Sequence, residues 1–172
     1  MLSHREHLKD HQLLRQFSEK EIEELLQMGE MVSLRAGETL FAEGASDPHL
    51  YLVLEGEVEI RKTYGSNGEV HLLTVLGPGE LLGEMGWVLE RPRKVTATAK
   101  TDLLVFKIDG ALLRERYQQG SQAAMRLIYL MLGALARKLT HMNDELLKVL
   151  ERKSPPSELA ALRERLIRDW SF

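Results

Sequence analysis

The stretch GELLGEMGWVLERPRKVTA, from Gly79 to Ala97, combines three features that favour an anionic ligand. Gly83 precedes a segment that can form a short helix as far as Leu89, and such a helix start exposes backbone N–H groups and the positive end of the helix dipole. Arg93 follows where the chain leaves that segment for a strand, and its planar guanidinium is the preferred side-chain donor for a phosphate. Glu84, an acceptor-only group, suits sugar hydroxyls. Together these residues describe a nucleotide site.

Short β-rich runs separated by glycines lie on both sides of the helix segment in that stretch. In Glu57-Val58-Glu59-Ile60-Arg61 the apolar residues alternate with charges, so one face is expected to be buried and the other in water. Ser66-Asn67-Gly68 predicts a hairpin turn. Many short strands with regular turns predict a β-sandwich or barrel. The predicted strands are Glu38–Phe41, Leu50–Leu54, Val58–Arg61, Val70–Leu76, Val95–Ala99 and Leu103–Ile108.

Helical patterns stand at both ends of this β-rich region. Ser18 and Glu21 have the spacing of a capping box, and the helix that they begin is predicted to stop at Gly29. From Ser121 to about Arg152 the chain has no proline and one glycine, which predicts a long helix. Ser157 is predicted to cap a short final helix after two prolines. The apolar side of that final helix would contain Leu159, Leu162, Leu166 and Trp170.

The long helix is expected to pair two copies of the chain. About 30 residues at 1.5 Å each extend about 45 Å, which is longer than a barrel of this size is wide. Its apolar residues recur at steps of three or four, so a single stripe follows the whole helix and predicts a homodimer. The stripe consists of Ile128, Met131, Leu135, Leu139, Met142, Leu146 and Val149.

The sequence resembles the cyclic-nucleotide-binding domain that the catabolite activator protein, the regulatory subunits of protein kinase A and cyclic-nucleotide-gated channels share. Two segments carry the match, Gly83-Glu84-Met85-Gly86-Trp87 and Pro92-Arg93-Lys94-Val95-Thr96, which resemble the phosphate-binding cassette of that family. Framework motifs also match at Ala36–Phe41, Glu43-Gly44 and Leu50–Val58, and the resemblance covers about residues 13–150. It implies a mainly β fold with α-helices: an eight-stranded jelly-roll β-barrel with an N-terminal helix and a long C-terminal helix.

The resemblance also implies roles for individual residues. Glu84 is expected to bind the ribose 2′-hydroxyl and Arg93 the cyclic phosphate, with backbone contacts from Gly83 and Met85. Met142 and Asn143 on the long helix are candidates to approach the base. Lys94 and Val95, which follow Arg93, complete the predicted ligand-binding set. The ligand would be cyclic AMP or cyclic GMP, and the sequence does not choose between them.

Two departures from the family pattern matter. A small residue usually follows the cassette arginine, but here it is Lys94, which strand alternation places opposite Val95 and away from the core. Lys94 either points to solvent, adds positive charge near the phosphate, or marks a site that has lost its ligand. After Arg152 only 20 residues remain, so the helix-turn-helix of the bacterial activators is expected to be absent.

Composition sets the remaining expectations. The 172 residues are 44% hydrophobic and 28% charged, as in soluble globular proteins, and the net charge of −3 does not favour nucleic acid as a partner. The sequence has no cysteine, no apolar run long enough for a membrane helix and no P-loop lysine with serine or threonine for a triphosphate. A cytoplasmic location is therefore expected, and the resemblance implies a non-enzymatic sensor with a downstream protein effector.

Two other functions stay open. A ligand-free barrel that serves as a dimerisation or adaptor module is the main alternative, and Lys94 favours it. A metal-binding cupin-type enzyme is disfavoured because none of the six histidines forms a His-x-His pair in the strands. The predicted division of the chain is 1–30 for the N-terminal helical segment, 31–120 for the barrel, 121–152 for the long helix and 153–172 for the tail.

Overall fold

A computed structural model gives the architecture of residues 8, 11, 14–64, 68–153, 164 and 168, with the side chains described as far as residue 149 and at residues 164 and 168. Within these residues, eight strands and four helices of defined bounds follow one another. The strands are β1 (Gly29–Leu34), β2 (Thr39–Phe41), β3 (Leu50–Glu55), β4 (Val58–Tyr64), β5 (Glu69–Leu76), β6 (Leu81–Leu82), β7 (Thr96–Ala99) and β8 (Leu103–Ile108). The helices are α1 (Glu19–Gln27), α2 (Glu84–Leu89), α3 (Gly110–Gln118) and α4 (Gln122–Lys153).

The strands form two antiparallel four-stranded sheets, in the orders β1-β8-β3-β6 and β2-β7-β4-β5. The prediction of eight strands with flanking helices is confirmed, but the strands of the predicted jelly-roll β-barrel do not close into one barrel. Among the described residues no strand of one sheet hydrogen-bonds to a strand of the other. The eight strands are short, and packing two sheets face to face buries their apolar faces without closing the ladder.

The main core lies between the sheets and explains the alternation seen in the sequence. Val58 and Ile60 of β4 are buried, and so are Ala97 and Ala99 of β7, while the residues between them are more exposed. Both sheets contribute to the cluster, which contains Phe41, Tyr51, Val53, Val58, Ile60, Leu82, Ala97, Ala99, Leu103 and Val105.

The helix ends follow local capping chemistry. Ser18 accepts a hydrogen bond from the Glu21 amide while the Glu21 carboxylate accepts one from the Ser18 amide, so the predicted capping box is confirmed. Helix α1 ends at Gln27 rather than at the predicted Gly29, which is instead the first residue of β1. A side chain at Gly29 would collide with the carbonyl of Lys107 on β8. This glycine therefore serves close strand packing and not a helix stop.

Helix α4 spans nearly the range that the sequence predicts, and the hydroxyl of Ser121 accepts a hydrogen bond from the Ala124 amide at its start. The chain forms two compact units, residues 1–131 and 132–172, and α4 contributes to both. None of the described helices is sufficiently long and apolar to span a membrane. Part of the predicted hairpin turn, Ser66-Asn67, and the tail-helix residues Ser157, Leu159, Leu162, Leu166 and Trp170 lie outside the described residues.

Candidate functional site

The segment from Gly83 to Leu89, which the sequence left as a possible helix, is helix α2, and Gly83 is its N-cap. Gly83 has φ +90°, and a Cβ there would lie 2.5 Å from Nη1 of Arg93 and 2.7 Å from the carbonyl oxygen of His49. Only glycine fits this position, for both reasons. Because glycine has no side chain, the N-cap residue itself gives no side-chain hydrogen bond to the first turn of α2. The helix start is therefore open to an anion.

Arg93 turns inward, and its side chain is 2% exposed. Nη1 donates to the carbonyl of Gly83 at 2.9 Å, and Nη2 donates to the carbonyl of His49 and forms an ion pair with Oδ2 of Asp47 at 3.0 Å. The guanidinium carbon lies 4.5 Å from the ring centre of Phe41, a cation–π contact. Nε is also buried, and none of the described residues accepts a hydrogen bond from it. The site thus contains one buried donor that still lacks an acceptor.

Asp47, in the loop between β2 and β3, is the acceptor that holds Arg93. Its Oδ1 accepts a hydrogen bond from the His49 amide at 2.9 Å, and its Oδ2 accepts one from the Tyr51 hydroxyl at 2.8 Å. Burial acts to raise the pKa of Asp47, but hydrogen bonds from His49, Tyr51 and Arg93 outweigh it and lower that pKa from 3.8 to about 2. Burial, with the Asp47 contact second, raises the pKa of Tyr51. Asp47 therefore stays ionised and compensates the charge of Arg93.

The backbone around Arg93 is held just as firmly. The Arg93 amide donates to the carbonyl of Ala45 at 2.9 Å, and the Arg93 carbonyl accepts from the Gly44 amide at 2.8 Å. The next carbonyl, that of Lys94, accepts a hydrogen bond from Nζ of Lys62 at 2.7 Å, and the same ammonium pairs with Glu43. The arginine is therefore placed by the fold before any ligand binds.

The structure brings six of the eight predicted ligand-binding residues to the start of α2 and to the approach to β7. Glu84, the first residue of α2, is 5% exposed, whereas Met85 beside it is 56% exposed. The Lys94 side chain is exposed, as strand alternation predicts, and Val95 packs partly buried against the core. Arg93 contacts Gly83 directly, and all six residues lie within the first unit.

The other two predicted residues, Met142 and Asn143, lie on α4 in the second unit. Met142 is 67% exposed and Asn143 is half-buried. Their proposed approach to a base stays a prediction.

Sequence reasoning missed Asp47 and the Glu43–Lys62 pair. Asp47 makes its contacts only because the loop before β3 folds against the residues that follow α2. Two backbone hydrogen bonds join Arg93 to residues 44 and 45, and they bring the distant carboxylate to the guanidinium. No local motif in Ser46-Asp47-Pro48 signals that contact.

Known proteins resemble this chain in sequence and in fold. Residues 31–120 match the family model described as the cyclic nucleotide-binding domain. A CRP-like cAMP-activated global transcriptional regulator of Mycobacterium tuberculosis is 31% identical over 115 residues, which are 67% of this chain and 49% of that protein. This chain therefore spans about half the length of that regulator.

Solved structures give the same likeness. The catabolite activator protein of Thermus thermophilus aligns with a TM-score of 0.63 at 27% identity. The alignment covers 87% of this chain and 78% of the activator chain. The N-terminal domain of a transcriptional regulator from Streptomyces coelicolor aligns with a TM-score of 0.59 at 31% identity and covers 81% and 93% of the two chains.

Proposed function

This chain belongs to the cyclic nucleotide-binding domain family, and on that premise we propose that it binds a 3′,5′-cyclic nucleotide as a non-enzymatic cytoplasmic sensor. The observation that carries the proposal is the buried Nε of Arg93, a donor that none of the described residues satisfies. An unsatisfied buried donor costs free energy of about 1–3 kcal/mol. A phosphate oxygen beside Nε would remove that cost and would form a charge-assisted hydrogen bond.

The start of α2 supports the same ligand. Its uncapped first turn, behind Gly83, offers backbone N–H groups and the positive end of the helix dipole to the phosphate. Glu84 stands in the first turn of the same helix, where its carboxylate is suited to accept a hydrogen bond from a ribose hydroxyl. The proposed roles are phosphate binding by Arg93 and the α2 amides, and ribose binding by Glu84.

Cyclic AMP is the first ligand to test, because two relatives carry it in their names, the CRP-like cAMP-activated regulator and the cyclic AMP receptor protein of Thermus thermophilus. Isothermal titration with cyclic AMP, cyclic GMP and 2′-deoxy cyclic AMP tests the proposal. We expect saturable binding of at least one ribonucleotide and weaker binding of the deoxy analogue, because Glu84 loses its partner. Ligand binding would be refuted if no ribonucleotide gave heat or a thermal shift at about millimolar concentration. A Kd of about 1 mM corresponds to a binding free energy near −4 kcal/mol.

Pairing of two copies through α4 is the second part of the proposal. From Leu132 to Val149 the apolar residues recur at alternating steps of three and four, which is the heptad spacing of a coiled-coil seam. Most of these side chains are about half exposed or more, so the face is unpartnered within the described chain. The seam consists of Leu132, Leu135, Leu139, Met142, Leu146 and Val149.

The alternative is a ligand-free adaptor module, and one observation favours it. Both terminal nitrogens of Arg93 already have protein partners, and Asp47 compensates its charge. In the alternative, Lys94 marks a site that has lost its ligand. Titration of Lys94→Ala separates the two functions. Unchanged affinity supports a functional site with an exposed Lys94, whereas binding that appears only in the variant supports the lost site.

A further inference from the structure

A cavity of about 380 Å³ lies beside α2, between that helix, the loop before β3 and the first turns of α3. None of the eight predicted ligand-binding residues lines it, but Asp47, the partner of Arg93, does, so the cavity adjoins the proposed nucleotide site without sharing those eight residues. Its volume falls in the range of small-molecule sites. We infer that this cavity binds a second ligand, a small planar organic anion of the aromatic carboxylate type.

The wall of the cavity is fixed in place before any ligand enters. The indole Nε1 of Trp87 donates to the carbonyl of Gly110 at 2.7 Å. A Cβ on Gly110 would collide with the Trp87 ring and with the carbonyl of Pro48, so α3 begins in direct contact with both. This packing holds the indole in one orientation, and Pro48 and Pro92 add further apolar surface to the lining. A flat apolar ligand therefore finds a preformed surface.

The charges around the cavity select an anion. Arg114 pairs with Glu90 at 3.0 Å and donates to the Trp87 carbonyl at 3.2 Å, and Asp47 is engaged by Arg93. Arg91 is exposed at the cavity, and none of the described residues forms an ion pair with it. The lining therefore keeps one uncompensated positive charge, which complements a single carboxylate.

Backbone strain falls at the same place. Glu90 has φ +52° and is the only non-glycine residue with positive φ in the described chain. This conformation is unfavourable for a residue with a side chain, and glycine or asparagine would adopt it more readily. The glutamate side chain at this position holds Arg114 against the face of Trp87, whose ring centre lies 5.0 Å from the guanidinium carbon. The strained residue thus helps to shape the cavity wall.

The test uses benzoate as probe and benzamide as its uncharged counterpart, in the absence of nucleotide. The readout is the NMR signal of the Trp87 indole N–H, which is assigned with Trp87→Phe and reports directly on the hydrogen bond to Gly110. We expect benzoate to shift this signal saturably, with a Kd of about millimolar order for so small a ligand. Benzamide should bind at least about fivefold more weakly, since it lacks the charge.

Two variants locate the binding. Arg91→Gln should weaken benzoate binding about fivefold, and Ala111→Phe should abolish it by filling the cavity. Both side chains are exposed, so both variants should keep the fold. Arg35→Gln, at an exposed arginine that does not line the cavity, should bind benzoate normally.

Three results would overturn the inference: no saturable shift up to about 20 mM benzoate, equal affinity for benzamide, or normal binding by Ala111→Phe. Since no nucleotide is present, none of these results bears on the proposed function.

Discussion

Arg93 carries a positive charge into a buried site where the protein satisfies its terminal nitrogens and leaves Nε without an acceptor among the described residues. Arg93→Gln removes Nε, the donor proposed to bind the phosphate, together with the charge of the guanidinium. By analogy with truncated charge pairs, we expect a loss of about 2–5 kcal/mol in nucleotide binding, or roughly 30-fold to several thousand-fold in Kd. Titration calorimetry measures the loss. Arg91→Gln is the matched control, because Arg91 is exposed and should keep the normal nucleotide Kd. Unchanged affinity in a folded Arg93→Gln protein would remove Arg93 from the site.

Asp47 makes the stability of the fold depend on pH. The pKa of Asp47 is about 2 in the folded protein, against an ordinary value of 3.8 for an aspartate. Ionised Asp47 therefore stabilises the native state. The contribution is present above about pH 4 and is lost as the pH falls from 4 towards 2. We expect Asp47→Asn to lower the free energy of unfolding at pH 7 by about 2 kcal/mol or more. The gap from the unmodified protein should shrink below pH 4 in denaturant titrations. A gap that stays constant down to pH 2 would contradict this role.

At the residue scale, sequence patterns reach the chemistry that is local in sequence. Gly83, Glu84 and Arg93 lie within one short stretch, and the spacing itself indicates a helix start followed by a strand. Asp47 could not be predicted, because its partner is brought to it by backbone hydrogen bonds between distant segments. A pattern in one segment carries no signal for such a contact.

At the scale of elements, α2 depends on the conformation of a single glycine. Gly83→Ala places a side chain at φ +90° and within 2.5 Å of Nη1 of Arg93. Gly37 is a matched control, since its φ is +89° and a Cβ there would meet nothing within 4 Å. Gly37→Ala should lower the free energy of unfolding by about 1–2 kcal/mol, through backbone strain alone. Gly83→Ala should lower the free energy of unfolding by about 1–3 kcal/mol more, because its side chain collides with its neighbours. It should also weaken nucleotide binding.

Chemical denaturation of both glycine variants, with a nucleotide titration of each, separates backbone strain from collision. Equal losses in the two variants would mean that the close approach of Arg93 to Gly83 does not constrain the site. Normal nucleotide affinity in Gly83→Ala would lead to the same conclusion.

The elements that the sequence missed are those without a strong pattern of their own. Strand β6 has two residues, too few for any periodicity. Strand β1 begins at a glycine that the helix pattern marked as a stop. Helix α3 has polar and apolar residues mixed along GALLRERYQ, and its start depends on Asp109, whose carboxylate accepts hydrogen bonds from the Ala111 and Leu112 amides. The strands with clear alternation, such as β4, were predicted correctly.

At the scale of the whole molecule, burial separates two parts of the apolar stripe on α4. Met131, which the sequence placed in the stripe, is 1% exposed and belongs to the core of the first unit. From Leu132 onward the exposed positions follow the heptad seam, with Met142 at 67% and Leu146 at 49% exposure. Monomeric proteins seldom leave so long an apolar face in water. In the proposed dimer, a twofold copy of the same helix would cover it with matching residues.

The dimer prediction therefore concerns the seam and not the whole stripe. Leu146→Glu places a charge in the seam of the proposed coiled coil, where burial without a partner is costly. We expect light scattering to give a dimer mass for the unmodified chain, with or without nucleotide, and a monomer mass for Leu146→Glu at the same concentration. His141→Glu, at an exposed position of the same helix outside the seam, should remain dimeric. A monomeric mass for the unmodified chain at about tens of micromolar would refute the dimer. A dimer with a Kd of about 1 μM, or about −8.2 kcal/mol, would be mostly assembled at that concentration. A dimer that survives Leu146→Glu would place the interface on another surface, because a coiled coil cannot bury two unpaired carboxylates in its seam without loss of affinity.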